Sequence, residues 1–285
     1  MKTQIKLDKS FSCEFFPPKT EQGMEKLFAT ADALKKSINP RFFSVTFGAG
    51  GSTRENTFNA VNKIKEKTGN EVAPHLSCIG STSSQLKDIL DDYKQQGIQR
   101  IVALRGDMPS GTVSHGDFNY ANELVSFIRE NYNDYFHIEV AAYPETHPQA
   151  LSAMKDLEYF KLKVDSGANS AMTQYFYNID SYFNFIDEIE KLGLDIPVIP
   201  GIMPITNYSN LSRFSDMCGA EIPRWLRKKL ESYGDDTDSI KNFGTDFVSG
   251  MCEKLLDMGA PGLHFYTLNQ SEASIQIWNN LNLSK

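Results

Sequence analysis

The chain has 285 residues, of which 40% are hydrophobic and 23% are charged, as is usual for a globular protein. Its 29 Lys and Arg against 36 Asp and Glu give a net charge of −7, which argues against nucleic acid or an anionic membrane as the main partner. The sequence contains neither a secretory signal nor an apolar run long enough to span a membrane, so we expect a cytoplasmic protein.

Eight short segments rich in β-branched and aromatic residues predict strands. They begin at Ser12, Phe42, Ala73, Arg100, His137, Ser170, Pro197 and Leu263. The first seven start 27–37 residues apart, a spacing that suits one strand followed by one helix.

The segments between these strands carry apolar residues at the helical spacing i, i+3, i+4 and i+7. Three such sets are Leu86/Ile89/Leu90/Tyr93, Ala121/Leu124/Val125/Ile128 and Ile179/Tyr182/Phe183/Ile186. The long stretch from Asn207 to Pro261 predicts two or three helices, with a loop around Gly234–Asp238. Strands that alternate with helices predict an α/β fold, a (β/α)8 TIM barrel that forms a single domain over residues 1–285, with extra helices before the last strand.

In such barrels the active site lies at the C-terminal ends of the strands. The polar residues at these ends are Glu14, Thr46, His75, Arg105, Asp107, Tyr143, Glu145, His147, Gln174 and Tyr266. Each also has a purely structural interpretation: Glu14 as the partner of a lysine, Arg105 and Asp107 as a turn closed by their own ion pair, and His75 as a hydrogen-bonded core histidine.

The glycine-rich loop GAGGSTREN after the second strand suits an anion site, and equally a tight turn with Ser52 or Thr53 as a helix N-cap. The sequence lacks the GxGxxG, P-loop and GxSxG motifs. Its five histidines show no HxH or HxxxH pairing and its four cysteines no CxxC, so we expect no metal site.

Eight blocks in order along the chain resemble the methylenetetrahydrofolate reductase family. They are EFFPPKT (Glu14–Thr20), VTFGAGGSTRE (Val45–Glu55), APHLSCIG (Ala73–Gly80), IVALRGDMP (Ile101–Pro109), AAYPETHP (Ala141–Pro148), KVDSGANSAMTQYFY (Lys163–Tyr177), IPGIMPITN (Ile199–Asn207) and LHFYTLN (Leu263–Asn269). The resemblance covers nearly the whole chain, from about Ser12 to Asn282. The chain resembles the short bacterial type, which has no regulatory domain.

This resemblance implies an FAD-dependent oxidoreductase that works by a ping-pong hydride transfer. NADH, or alternatively NADPH, reduces the flavin and leaves. The flavin then reduces 5,10-methylenetetrahydrofolate to 5-methyltetrahydrofolate, a step of one-carbon metabolism that feeds methionine biosynthesis. We expect a homo-oligomer.

The resemblance also implies roles for four residues. Glu14 matches the general acid that opens the folate ring, and its apolar neighbours Phe15, Phe16 and Pro17 would raise its pKa. Asp107 matches an aspartate beside flavin and pterin that stabilises positive charge on the folate. Gln174 and Phe214 match residues that contact either substrate.

The implied FAD-binding positions are Thr46, His75, Arg105, Gly106, Asp107, Met108, Tyr120, Ala121, Tyr143, His147, Asp156 and Lys163. Among them, Arg105 and Lys163 suit the cofactor's phosphates, and Asp156 suits a ribose hydroxyl.

One site residue departs from the family pattern. Gln270 stands where the family usually has a folate-binding arginine, which puts that contact in doubt. Three alternatives remain open: a flavin barrel reduced by a ferredoxin or another protein partner, a catalytically silent flavin- or folate-binding barrel, and a Schiff-base lyase. The lyase is disfavoured because no lysine ends a predicted strand.

Overall fold

Parallel strands form the centre of the computed structural model, which describes residues 1–47, 51–107 and 116–283, with the backbone alone for residues 51–54. The strands are β1 (Ser10–Phe15), β2 (Phe42–Val45), β3 (Glu71–Ser77), β4 (Arg100–Leu104), β5 (His137–Ala142), β6 (Ser170–Thr173), β7 (Val198–Ile199), β8 (Gly201–Ile202) and β9 (Gly262–Tyr266). They pair in the order β7-β6-β5-β4-β3-β2-β1-β9-β8, and every pairing is parallel. The predicted (β/α)8 barrel is confirmed.

The seventh barrel position differs from its prediction, because the expected single strand is divided at Pro200. Proline has no N–H to donate and interrupts the ladder. The residues before it, β7, pair with β6, and the residues after it, β8, pair with β9. The carbonyl of Pro200 itself accepts the N–H of His264 at 3.0 Å. One interrupted strand therefore closes the barrel.

The chain's first residues brace this closing strand. A short 3-10 helix, Gln4–Lys6, places the Gln4 side chain in the interior, fully buried. Its Oε1 accepts the N–H of Val198 at 2.9 Å, and its Nε2 donates to the carbonyl of Ile196 at 3.0 Å. Gln4 thus satisfies backbone groups that the two-residue strand β7 leaves outside the sheet.

Ten α-helices surround the barrel in the part of the chain that the structure describes. They are α1 (Glu21–Ser37), α2 (Gly51–Thr68), α3 (Ser83–Gln95), α4 (Ala121–Tyr132), α5 (Ala153–Asp165), α6 (Ile179–Lys191), α7 (Tyr208–Cys218), α8 (Arg224–Glu231), α9 (Thr237–Asp257) and α10 (Glu272–Asn280). The periodic residues of α3 are buried as predicted, and those of α4 and α6 are buried or half-buried. The main core thus lies between strands and helices.

Three helices, α7, α8 and α9, lie between β8 and β9, at the upper end of the predicted number. The predicted loop around Gly234–Asp238 ends earlier than expected, since Thr237 and Asp238 already belong to α9. The reason is Asp236, whose carboxylate accepts the N–H of Ser239 at 3.1 Å and caps the helix.

A buried ionic cluster lies inside the barrel near the N-terminal ends of its strands. Arg100 donates to Glu139 at 2.5 Å and to Glu71 at 2.9 Å, and Ser170 donates to Glu139 at 2.6 Å. Burial raises the pKa of Glu139, but His137, Arg100 and Ser170 together lower it to about 2. This end of a barrel generally serves stability, and the active site is expected at the other end.

Candidate active site

A cavity of about 530 Å³ opens at the C-terminal ends of β4 and β5, where α4 and α5 begin. This volume falls within the range of small-molecule sites. Its walls are formed by Ala103, Leu104, Arg105, Gly106, Asp107, Tyr120, Ala121, Asn122, Ala141, Tyr143, His147, Gln149, Ala150, Leu151, Asp156, Tyr159 and Lys163. Nine of the twelve positions expected to bind FAD are among them, and they come from four separate stretches of the chain.

Two cations line this cavity. Arg105 follows β4, and its Nη2 donates to Gln149 Oε1 at 2.5 Å. Lys163 lies in the last turn of α5, and its Nζ donates to the carbonyl of Ala141 at 2.5 Å. Burial lowers the pKa of Lys163 to about 8, although the charge of Asp156 opposes the change. The cavity therefore holds positive charge that an anionic ligand would stabilise.

Asp156 and its neighbours form the polar side of the cavity. Asp156 lies in the first turn of α5, and its Oδ2 accepts the N–H of His147 at 2.8 Å. The rings of His147 and Tyr143 meet edge to face, with centroids 4.4 Å apart. Burial lowers the pKa of His147, which keeps the imidazole neutral at pH 7, and raises the pKa of Tyr143 to about 12. Both rings are therefore uncharged near neutral pH.

A stacked pair of tyrosines forms part of the cavity wall. The rings of Tyr120 and Tyr159 lie 6.2 Å apart and 15° from parallel, and both side chains are exposed. Glu123 Oε2 accepts the N–H of Tyr120 at 3.2 Å, which holds Tyr120 at the start of α4. Exposed aromatic faces of this kind suit a planar ring system.

Gly106 lets the chain turn into the cavity at the end of β4. Its φ of +82° is a conformation that favours glycine, and a Cβ there would lie 2.7 Å from Ser77 Oγ on β3. Any other residue would combine backbone strain with a clash, so glycine is required at this position.

Glu14 lies in a second cluster, inside the barrel. Its Oε2 is 3.2 Å from His75 Nε2, at an angle poor for a hydrogen bond, and 3.4 Å from both His264 Nε2 and Ser44 Oγ. His264 is fully buried, and its Nδ1 lies 2.7 Å from Ser12 Oγ. Strands β1, β2, β3 and β9 each contribute to this cluster, which brings one carboxylate between two imidazoles.

The expected rise in the pKa of Glu14 is wrong for this cluster. Alternation along β1 directs Phe15 to the opposite face, where it stacks on Phe43 with ring centroids 5.4 Å apart, and Phe16 is 45% exposed. Burial, the largest influence, raises the pKa of Glu14, but His75 and His264 together lower it to about 2. Glu14 is therefore a carboxylate at neutral pH in this state.

A smaller hollow adjoins the cavity, since Tyr143 lines both. Gln174 follows β6 and forms part of its wall together with Cys218 at the end of α7. Phe214 lies one turn before Cys218 and is half-buried. The structure thus places Gln174 beside the cavity and Phe214 on the helix that closes the adjoining hollow.

The remaining predicted residues lie apart from the cavity wall. His75 belongs to the Glu14 cluster, and Thr46 follows β2, with its N–H donating to the carbonyl of Phe15 at 2.8 Å. Gln270 is exposed on the loop after β9. Met108 and residues 48–50 of the glycine-rich loop lie outside the described residues.

Sequence reasoning missed Ser12, Ser44 and His264 as members of the Glu14 cluster. A signal was present, because side chains two apart on a strand share a face. Ser12 precedes Glu14 by two positions, and His264 precedes Tyr266 by two. Gln149 and Tyr159 were also missed, and no sequence pattern marks them as cavity residues.

In the described part of the chain, no helix is long and apolar enough to cross a membrane. No group of three or more His, Cys, Asp or Glu side chains there could hold a metal ion.

A parallel barrel with a polar cavity at its C-terminal end defines an enzyme of the (β/α)8-barrel class. The family model described as "Methylenetetrahydrofolate reductase" matches residues 2–282, so the chain belongs to this family of oxidoreductases. The 5,10-methylenetetrahydrofolate reductase of Escherichia coli (strain K12) is 42% identical over 270 residues, which cover 95% of this chain and 90% of that protein.

One further relative and one solved structure are also similar to the chain. "Methylenetetrahydrofolate reductase (NADH) 1" of Arabidopsis thaliana is 40% identical over 96% of this chain, which covers only 48% of the plant protein. A solved structure from Clostridium thermocellum, described as an uncharacterized protein that binds two copies of 5-methyl-5,6,7,8-tetrahydrofolic acid, has a TM-score of 0.64. It is 16% identical and covers 99% of this chain and 97% of its own, a likeness in fold alone.

Proposed function

We propose that the protein uses FAD and NADH to reduce 5,10-methylenetetrahydrofolate to 5-methyltetrahydrofolate by ping-pong hydride transfer. Family membership supports the overall reaction. The observation that carries the cofactor assignment is that nine of the twelve positions expected for FAD line one cavity of about 530 Å³. The product supplies methyl groups for one-carbon metabolism and methionine synthesis.

The cavity suits FAD in charge and in shape. Arg105 and Lys163 supply cations for the diphosphate, and Asp156 supplies a carboxylate for a ribose hydroxyl. The stacked rings of Tyr120 and Tyr159 offer a planar surface for an aromatic ring. In this proposal, the cofactor is bound by loops at the barrel mouth and not by a separate dinucleotide-binding domain.

Bound in this cavity, FAD would accept a hydride from NADH and later donate one to the folate. Asp107 is exposed at the cavity edge and would stabilise the positive charge that the folate acquires as its ring opens. Gln174, at the boundary between cavity and hollow, can donate and accept hydrogen bonds, so it would orient the pterin and the nicotinamide in turn.

Ring opening requires a proton at N10 of the folate, and we assign its delivery to Glu14. Because the pKa of Glu14 falls to about 2, its carboxylate does not hold a proton before substrate binds. The side chains of His75 and His264, at 3.2 and 3.4 Å from Oε2, lie beside this carboxylate. In this assignment, Ser12 orients His264 through its contact with Nδ1 at 2.7 Å.

The choice of NADH rests on the name of the plant relative. Purified protein should contain about one FAD per chain, lose the flavin absorbance on anaerobic addition of NADH, and regain it with 5,10-methylenetetrahydrofolate. Bleaching only by a reduced carrier protein would favour the alternative electron donor, and failure of the folate to restore the absorbance would favour a silent barrel. A colourless protein that FAD cannot reconstitute would refute the cofactor assignment.

A matched pair of arginines sharpens this experiment. Arg105→Ala should release FAD more readily than the wild type, because one cation of the cavity is lost. Arg41→Ala removes an exposed arginine just before β2, at the opposite end of the barrel, and should retain FAD. Equal loss of FAD from both variants would contradict the assignment of Arg105 to the cofactor.

A further inference from the structure

Arg213 is an exposed cation on α7, next to the residue expected to contact substrate. Its guanidinium carbon lies 5.4 Å from the ring centroid of Phe214. Within the described parts of the chain, no carboxylate forms an ion pair with Arg213. An exposed arginine that adjoins a predicted substrate residue and has no acidic partner among the described residues can bind an anionic group of that substrate.

The fold brings α7 and Gln270 to the same end of neighbouring strands. Helix α7 follows β8, and the Gln270 loop follows β9. The two strands are paired in parallel, with Gly201 opposite His264 and Ile202 opposite Phe265. Gln270 is neutral, so the cation that the resemblance predicts on this loop is missing, while helix α7, which follows the neighbouring strand, carries one.

Helix α7 is held firmly enough to act as a support. Asn207 caps its first turn by accepting the N–H of Asn210 at 2.8 Å. In its middle, Ser215 Oγ lies 3.0 Å from Tyr175 Oη, and Leu211 is buried. A charged group on an anchored helix loses less freedom on binding than one on a loop.

Two acidic residues lie near the C-terminal end of α7. Glu145 lines the hollow next to α7, and its Oε2 accepts the N–H of Glu221 at 2.8 Å. The glutamate tail of a folate carries two carboxylates, which these acids would repel. A guanidinium is suited to offset that repulsion, since its planar fork matches a carboxylate with two parallel hydrogen bonds.

We infer that Arg213 binds a carboxylate of the substrate's glutamate tail, in place of the arginine that Gln270 replaces, while Phe214 contacts the ring portion of the same molecule. The inference rests on the proposed function, because it takes a folate as the substrate. It assigns Arg213 to substrate binding and to no chemical step.

The test compares two substrates, 5,10-methylenetetrahydrofolate and 5,10-methylenetetrahydropteroate, which lacks the glutamate. Arg213→Ala should raise the KM for the folate roughly tenfold, the loss expected for one charge-assisted contact, and leave the KM for the pteroate unchanged. The KM of Arg213→Lys for the folate should lie between those of the wild type and Arg213→Ala, since lysine keeps the positive charge but not the planar guanidinium. Bleaching of the flavin by NADH and the kcat with folate should remain near wild type in both variants.

Arg41→Ala, at the other end of the barrel, is the control and should change neither KM. An unchanged KM for folate in Arg213→Ala would overturn the inference. So would an equal rise for folate and pteroate, which would mean that Arg213 acts only by packing on Phe214. A wild-type protein that reduces neither substrate would instead refute the proposed function.

Discussion

Lys163→Met should stabilise the FAD-free protein and weaken FAD binding. Burial lowers the pKa of Lys163 from its ordinary 10.5 to about 8. At pH 7 the buried ammonium is still charged, and this charge destabilises the folded protein relative to the unfolded chain. At 1.36 kcal/mol per pH unit, this shift corresponds to about 3 kcal/mol. The penalty is fully present below pH 8 and disappears as the pH rises towards 10.5. Loss of the hydrogen bond to Ala141 removes about 1 kcal/mol of stability, which leaves a net gain of ~2 kcal/mol.

Urea unfolding of the FAD-free protein at pH 7 measures the first effect, and fluorescence titration with FAD measures the second. FAD affinity should fall roughly 10- to 100-fold in Lys163→Met, because a charge-assisted contact with phosphate is lost. Lys161→Met is the control: Lys161 lies on the same helix, is 40% exposed and pairs with Asp165 at the surface. It should shift stability by less than ~0.5 kcal/mol and leave FAD affinity unchanged.

The opposite sign would refute this reasoning. Suppose that Lys163→Met destabilised the FAD-free protein by more than the control did. The Lys163 ammonium would then stabilise the folded protein even without FAD, contrary to this reasoning. If its affinity for FAD stayed at the wild-type value, the phosphates would lie elsewhere in the cavity.

Three further predictions follow from the same geometry. Glu14→Gln should keep normal flavin reduction by NADH but slow folate reduction by about 10²–10⁴-fold in rapid-mixing experiments, whereas equal loss in both half-reactions would make Glu14 structural. FAD affinity should fall roughly tenfold between pH 7 and 9.5, as Lys163 loses its proton with a pKa of about 8; a flat pH profile would count against this contact. Gly106→Ala should cost more stability in urea unfolding than Gly234→Ala, which shares a positive φ but has open space around it, and equal costs would contradict the close approach to Ser77.

The barrel was predictable because strand and helix periods alternate along the chain. The interruption at Pro200 was harder to predict. A proline indicates a missing N–H donor, but not which neighbouring strand each half of the interrupted strand pairs with. The cavity follows from the resemblance, which names residues far apart in sequence that the βα loops then bring together. The charge state of Glu14 could not be predicted, because it depends on His264, which is 250 positions away.

The brace formed by Gln4 has a consequence for how the chain is made. Gln4 leaves the ribosome before its partner Val198, which lies 194 positions later in the chain. At a synthesis rate of about 5–20 residues per second, the strand that Gln4 supports is made roughly 10–40 s after Gln4. During this time the sheet has a free edge, the condition under which nascent barrels aggregate. The substitution Gln4→Ala should therefore lower the yield of soluble protein during synthesis more than it lowers the stability of the folded protein.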